Sequence, residues 1–276
     1  MPELPEVETV KETLKSIILG KTIIQVVVRY DKIIHGMSVS DFQNTLNGKT
    51  FTDIGRFGKY LFFYLNELVL ISHLRMEGKF FIKPIQEPFE KHEHIIFVFS
   101  DGLSLRYHDT RKFGTMEIVN KGYEYLTDSI KKMGLEPFDP IFTGQYLQQK
   151  AQRSSRAVKV FLLDQNTISG LGNIYVDEVL FRSGIHPETP VNKLSSDDFV
   201  KLADSSRQVL MRAVDLGGTT IRSYLSSLGV SGRFQNELLV HMRDNELCYQ
   251  CQTPIIKIKV GGRGTYLCPT CQKRKG

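Results

Sequence analysis

Met1-Pro2-Glu3-Leu4-Pro5-Glu6-Val7-Glu8 opens the chain, and the rest of the sequence reads outward from it. Proline suits the first turn of a helix, and acidic residues suit the positive end of the helix dipole. From Leu4 the apolar residues recur at Leu4, Val7, Val10, Leu14, Ile17 and Ile18, and Gly20 closes the run, which predicts an amphipathic helix with a stop signal. The same residues carry a chemical reading. Removal of Met1 by an aminopeptidase would leave Pro2 as a free secondary amine. An α-amino group titrates at about 7.7 to 8.0 and lysine at about 10.4, so its neutral, nucleophilic fraction at pH 7 is larger by roughly two orders of magnitude. Such amines form Schiff bases with carbonyl-like carbons, and the Glu3 carboxylate beside it could shuttle the proton that moves. Composition by itself does not separate this chemistry from a plain helix start.

After the helix the pattern changes to period two and to short β-rich runs. Thr22 to Tyr30, Tyr60 to Leu65, Leu68 to Ser72, Phe80 to Lys83, His94 to Ser100, Leu103 to His108 and Thr115 to Asn120 all read as strands, with Asp101-Gly102 as a hairpin turn. Short strands with tight connections predict an antiparallel sandwich or flattened barrel with the leading helix beside it, over residues 1–130. Residues 131–150, with Gly134, Pro137 and Pro140, read as a linker. A helical domain over 151–237 is expected next. Its elements are Ala157 to Leu163, a helix over Asn173 to Phe181 after the Gly170-Leu171-Gly172 turn, and a helix capped at Ser195 to Asp198 and reaching about Leu216. Residues 217–237 hold four glycines and four serines and read as a mobile loop.

The cysteines fall only in the last segment, 238–276, as Cys248-x-x-Cys251 and Cys268-x-x-Cys271 with sixteen residues between the pairs. That is the spacing of a four-thiolate zinc site. Two disulfides would need an oxidising compartment, and no secretion signal precedes the helix. Ile255 to Val260 and Thr265 to Leu267 are expected to form a zinc-clipped hairpin around Gly261-Gly262-Arg263-Gly264. From Leu238 onward seven Lys or Arg face two Asp or Glu, a local +5 within a net +6. This excess favours a polyanionic partner, although a zinc ion in four thiolates carries a formal −2 that offsets part of it. At 276 residues and 41% hydrophobic content there is material for two domains and a small module. No run of about 18 apolar residues occurs, so a soluble, intracellular chain with no membrane partner is expected. Nothing in the sequence demands more than a monomer.

Pro-Glu-Leu-Pro-Glu-Val-Glu-Thr at the N-terminus resembles the signature of the formamidopyrimidine-DNA glycosylases, bacterial enzymes that excise oxidised purines. Further blocks resemble the same family in the same order: Ser72-His73-Leu74-Arg75-Met76-Glu77-Gly78, Arg111-Lys112-Phe113-Gly114, Gly172-Asn173-Ile174-Tyr175-Val176-Asp177-Glu178 and the four-cysteine module. Together they cover nearly the whole chain. The resemblance implies an α+β protein with three parts: the helix and β-sandwich, a helix-two-turn-helix domain with a lesion-capping loop, and a zinc-bound hairpin holding one structural Zn2+ through Cys248, Cys251, Cys268 and Cys271.

It also implies roles for individual residues. Pro2 becomes the nucleophile and Glu3 its proton carrier, while Glu6 organises the amine and the first helix. Lys59, in Gly55-Arg56-Phe57-Gly58-Lys59-Tyr60, matches a lysine that contacts DNA near the reacting sugar. Arg263 becomes a phosphate clamp and proton donor for the last elimination. Met76, Arg111 and Phe113 align with side chains that fill the void left by an extruded base, as duplex-reading enzymes require. Composition alone would put Met76 and Phe113 in the core. His73, His92, Asn173 and Arg153 complete the DNA-facing set, with Asn173 on flanking phosphates. His92-Glu93-His94 lacks the spacing of a zinc-binding His-Glu-x-x-His helix.

Three departures from the family pattern stand out. Phe57 replaces a basic residue, His241-Met242 replaces Tyr-Gly, and the loop from Thr219 to Arg233 matches least.

The expected activity is that of a bifunctional DNA glycosylase and AP lyase acting on double-stranded DNA with oxidised bases, in the bacterial cytoplasm. Two alternatives stay open. The endonuclease VIII type removes oxidised pyrimidines on the same scaffold, but it typically has glycine where this chain has Leu4. A non-catalytic reader of damaged DNA would not need Pro2, Glu3 and Lys59 together.

Overall fold

Apolar side chains on alternate residues and helical stripes sort this chain into two compact units. A computed structural model describes residues 1–219 and 232–275. The first unit comprises Met1–Lys131 and Thr219–Gly232; the second comprises Lys132–Gly218 and Arg233–Gly276. The loop expected over 217–237 lies, from 220 to 231, outside the described residues.

In the first unit, helix α1 (Leu4–Ile18) buries Leu4, Val7, Val10, Leu14 and Ile18 on one stripe. It is followed by β1 (Ile23–Val28), β2 (Ile34–His35), α2 (Val39–Leu46), β3 (Phe51–Phe57), β4 (Tyr60–Leu65), β5 (Leu68–His73), β6 (Lys79–Pro84), β7 (Glu93–Phe99), β8 (Leu103–His108) and β9 (Thr115–Asn120). The strands form a four-stranded sheet in the order β1-β7-β8-β6 and a five-stranded sheet in the order β2-β9-β5-β4-β3. All pairings are antiparallel except the short β2–β9 pair. One apolar core draws on both sheets and both helices, and Phe51 meets Phe63, Phe97 and Phe99 there edge to face.

Strand β3 lies outside the strands that alternation predicts. A bulge between Phe51 and Asp53 shifts its register against β4, so its buried residues Phe51 and Ile54 stand three apart instead of two.

The second unit contains α3 (Gly144–Ala151), α4 (Val158–Leu163), α5 (Asn173–Arg182), α6 (Ser196–Asp215) and the hairpin β10 (Ile256–Val260) and β11 (Arg263–Leu267). The α6 capping box at Ser195 and Asp198 forms as expected. Helix α3, however, stands within the stretch expected to be only a linker. Thr143 caps it by accepting the Tyr146 N–H. Gly144 then lets it approach α6 so closely that a Cβ there would lie 2.6 Å from the Val200 nitrogen. Gly144 is thus a packing contact inside the stretch read as a linker. No helix among the described residues is long and apolar enough to cross a membrane.

Candidate functional site

The head of α1 is built by a reciprocal capping box. The Glu3 N–H donates to Glu6 Oε2 at 2.8 Å, and the Glu3 side chain accepts the Glu6 N–H. Glu6 Oε1 accepts both the Thr219 N–H at 2.8 Å and the Thr219 hydroxyl at 3.0 Å. Both carboxylate oxygens of Glu6 are therefore committed, one to each side, and Pro2 and Glu3 are buried at the helix start. A turn further along, Glu8 Oε2 accepts Arg56 Nε at 2.6 Å, and the same guanidinium donates to the Gly58 carbonyl at 3.0 Å. Burial raises the Glu8 carboxyl, but hydrogen bonds from Lys11 and Arg56 outweigh it and hold the group below its ordinary range. The Arg56–Glu8 pair thus ties the β3–β4 turn, where Gly58 takes a positive φ of 57°, to α1 just before Lys59.

Lys59 is buried and its charge is felt by His73. Burial first, then the Arg75 and Lys59 charges, push the His73 imidazole down to about 3. Its Nδ1 accepts the Arg75 N–H at 2.9 Å, so the ring is neutral with its proton on Nε2 and offers a donor. The loops after β5 and β8 each contain a non-glycine residue in the left-handed region, Arg75 at φ 53° and Lys112 at φ 58°. Beside them Met76 is 37% exposed and Phe113 54% exposed, so neither is a core residue as composition would have it. The Arg111 guanidinium lies 4.8 Å from the Phe113 ring centroid. His92 is half-buried ahead of β7, with its ring 5.7 Å from that of His108. His94 uses Nε2 on the Asp109 carbonyl at 2.8 Å and is unavailable to a metal there.

In the second unit Asn173 begins α5 after Gly172, which occupies the N-cap position. Its Nδ2 donates to the Gly264 carbonyl at 3.0 Å. Gly261 and Gly262 take φ of 55° and 79°, the two-residue turn that a tight hairpin requires. Arg263 is therefore the first residue of β11, exposed and paired with Val260, and not the tip itself. Asn173 and Gly261 to Gly264 line an open pocket of about 400 Å³.

Beneath this pocket lies a buried network in which Asp177, from the block that opens α5, meets Lys159, which no motif announced. Lys159 Nζ donates to Asp177 Oδ1 at 2.7 Å and to the Gly264 carbonyl at 3.1 Å. Asp177 Oδ2 accepts His241 Nδ1–H at 2.8 Å and the Tyr266 N–H at 3.3 Å. Glu178 accepts the N–H groups of Leu239, Val240 and His241, yet burial still raises its carboxyl. His241, the departure from the family pattern, is thus committed to Asp177. Arg153 is exposed in the turn after α3.

The four cysteine Sγ atoms lie within 4.8 Å of one another, and they are the metal-capable group found among the described residues. Cys248 and Cys271 sulfurs are 3.9 Å apart and those of Cys251 and Cys268 are 3.4 Å apart. Zn–S bonds of about 2.3 Å in a tetrahedron need sulfurs about 3.8 Å apart, so the donor set fits zinc. Burial raises the Cys268 and Cys271 thiols, whereas hydrogen bonding with Thr253 lowers Cys251 to about 6. A bound cation is what would hold all four as thiolates.

Residues 1–116 match the formamidopyrimidine-DNA glycosylase N-terminal domain, 133–225 its H2TH domain, and 245–274 the zinc finger found in FPG and IleRS. The formamidopyrimidine-DNA glycosylase of Bacillus licheniformis is 50% identical over 99% of this chain and 100% of its own length. That of Bacillus subtilis is 48% identical over the full length of both. Among solved structures, Lactococcus lactis Fpg in complex with abasic-site DNA superposes with a TM-score of 0.93 at 42% identity, covering 99% of this chain and 100% of that one. The wild-type Lactococcus lactis Fpg bound to DNA containing N7-benzyl-Fapy-dG gives the same figures.

Proposed function

The chain belongs to the formamidopyrimidine-DNA glycosylase family, and on that premise we propose that it excises oxidised purines from double-stranded DNA and cleaves the resulting abasic site. The observation that carries this reading to residues is the capping box at the head of α1, which joins Glu3 to Glu6 directly after a buried Pro2. With Met1 removed, the Pro2 nitrogen attacks C1′ of a nucleotide bearing 8-oxoguanine or a formamidopyrimidine. The C1′–N9 bond breaks, and the base leaves with a proton equivalent to the one the Pro2 amine gives up as it bonds to C1′. Glu3 protonates the ring oxygen O4′ as the sugar opens, leaving an iminium between Pro2 and C1′. The cation acidifies C2′; loss of that proton expels the 3′ phosphate by β-elimination, and δ-elimination then expels the 5′ phosphate.

Lys59 and Arg263 hold phosphates next to the reacting sugar, and Arg263 supplies a proton to the last departure. Asn173 and Arg153 bind flanking backbone. His73 donates its Nε2–H, His92 adds a contact, and Met76, Arg111 and Phe113 occupy the space of the extruded base. Cys248, Cys251, Cys268 and Cys271 would hold one zinc ion, which would stabilise the hairpin that carries Arg263 and would supply no catalytic chemistry. A substrate that is DNA puts the working protein at the chromosome, in the cytoplasm of a bacterium.

Borohydride trapping tests the substrate class. A duplex containing 8-oxoguanine should give a covalent protein–DNA adduct with borohydride present and, without it, a one-nucleotide gap with phosphate at both ends. A stronger adduct with an oxidised pyrimidine would favour the endonuclease VIII type, and no adduct with either would favour a non-catalytic reader.

A further inference from the structure

Asp109 is fully buried, yet its carboxylate meets four donors, three amides of one loop and the Tyr107 hydroxyl. Oδ1 accepts the Arg111 N–H at 2.9 Å. Oδ2 accepts the Phe113 and Gly114 N–H groups, each at 2.9 Å, and the Tyr107 hydroxyl at 3.4 Å. The backbone of the same residue is also engaged. Its N–H donates to the His92 carbonyl at 3.0 Å, and its carbonyl faces His94 Nε2 at 2.8 Å. A buried carboxylate is costly unless its lone pairs are filled, and here three amide donors from a single loop fill them.

The neighbouring loop converges on the same place. Cβ atoms added at Gly78 and Gly114 would lie 2.4 Å and 1.6 Å from the Tyr107 hydroxyl, so both loops close tightly on that ring. Thr110 also hydrogen-bonds Glu77, joining the segment that carries Phe113 to the one that carries Met76. Lys112 pays for this closure with a left-handed backbone, φ 58°.

We propose that Asp109 is the positioning residue of the duplex-opening step: its carboxylate holds the 109–114 loop in the one shape that presents Arg111 and Phe113 to the stack, and through Tyr107 and Thr110 it keeps the Met76 loop in register with it. The inference rests on the reading of Phe113 as a void filler. Without the carboxylate the loop must be ordered during DNA binding, and that cost falls on base extrusion. Asparagine is the sharp replacement, because in either orientation its NH2 faces at least one amide N–H that now meets an oxygen.

The test compares parent, D109N, F113A and D109N/F113A on two substrates, an 8-oxoguanine duplex and a single-stranded oligonucleotide with an abasic site, which has no partner strand to open. D109N should slow excision from the duplex at least tenfold more than it slows cleavage of the single strand. On the duplex, D109N should cost less in the F113A background than in the parent, since one of the side chains that Asp109 positions is already gone while Arg111 and Met76 remain. Equal losses on both substrates, or losses from D109N and F113A that multiply, overturn the proposal while leaving the void-filling reading intact. An F113A variant as fast as the parent overturns both. Should D109N fail to fold, Y107F removes only the longest of the four bonds, and the same differential and the same coupling to F113A are expected at smaller size; their absence counts equally against the proposal.

Discussion

His73 sits where a titratable ring is held neutral by its surroundings: burial first, then the Arg75 and Lys59 charges, bring it down to about 3. In the unfolded chain the same imidazole takes up its proton at about 6.5. Between those values the unfolded state binds a proton that the folded state refuses. Stability from this ring is therefore full above about pH 6.5 and falls as pH drops toward 3, by at most about 1.4 kcal/mol per pH unit. Asparagine at this position keeps an acceptor for the Arg75 N–H and cannot titrate. H73N should flatten the acid limb of the curve of Tm against pH while leaving its alkaline plateau nearly in place. Parallel acid limbs for parent and H73N would show that the ring protonates freely in the folded protein. The neutral ring matters for function as well, because a proton fixed on Nε2 makes His73 a donor at any working pH.

At the scale of elements, two neighbouring carboxylates of α5 tie the cysteine module and its approach to that helix: Asp177 accepts the Tyr266 N–H of β11, and Glu178 holds the segment just before the cysteines. Glu178 Oε1 takes two N–H groups and Oε2 a third, from residues 239 to 241. An amide in its place turns one acceptor into a donor facing a buried N–H, a loss of about 1–3 kcal/mol. E178Q should release zinc to a chelator several-fold faster and lower the Tm; release at the parent rate would mean that Asp177 and Lys159 fix the hairpin without it. Helix α1, the strands with clean alternation and the four-cysteine module were legible because local pattern and spacing define them. The bulge in β3 and the packing glycine of α3 broke those patterns, and each irregularity answers to a partner elsewhere in the chain. The site divides in the same way. Pro2, Glu3 and the cysteines sit in motifs, but Arg56 works through Glu8 across 48 residues and Thr219 through Glu6 across 213. Asp109 and Lys159 likewise owe their roles to tertiary hydrogen bonds that no spacing announces.

Across the whole molecule, one compact unit carries Pro2, Glu3, Glu6, Lys59 and the exposed Met76, Arg111 and Phe113, and the other carries Asn173, Arg263 and the cysteine cluster. The proposed nucleophile belongs to the first unit and the proposed phosphate clamp to the second. The net charge of +6 suits the shared substrate. Everything in this scheme depends on which nitrogen bonds to the sugar. Lys59 and Lys159 are the competing amines, each buried. Peptide mapping of the borohydride-reduced adduct by mass spectrometry decides among them. The account predicts a sugar remnant on the peptide that begins at Pro2, with Met1 gone. A remnant on a peptide containing Lys59 or Lys159, with the N-terminal peptide unmodified, would contradict it.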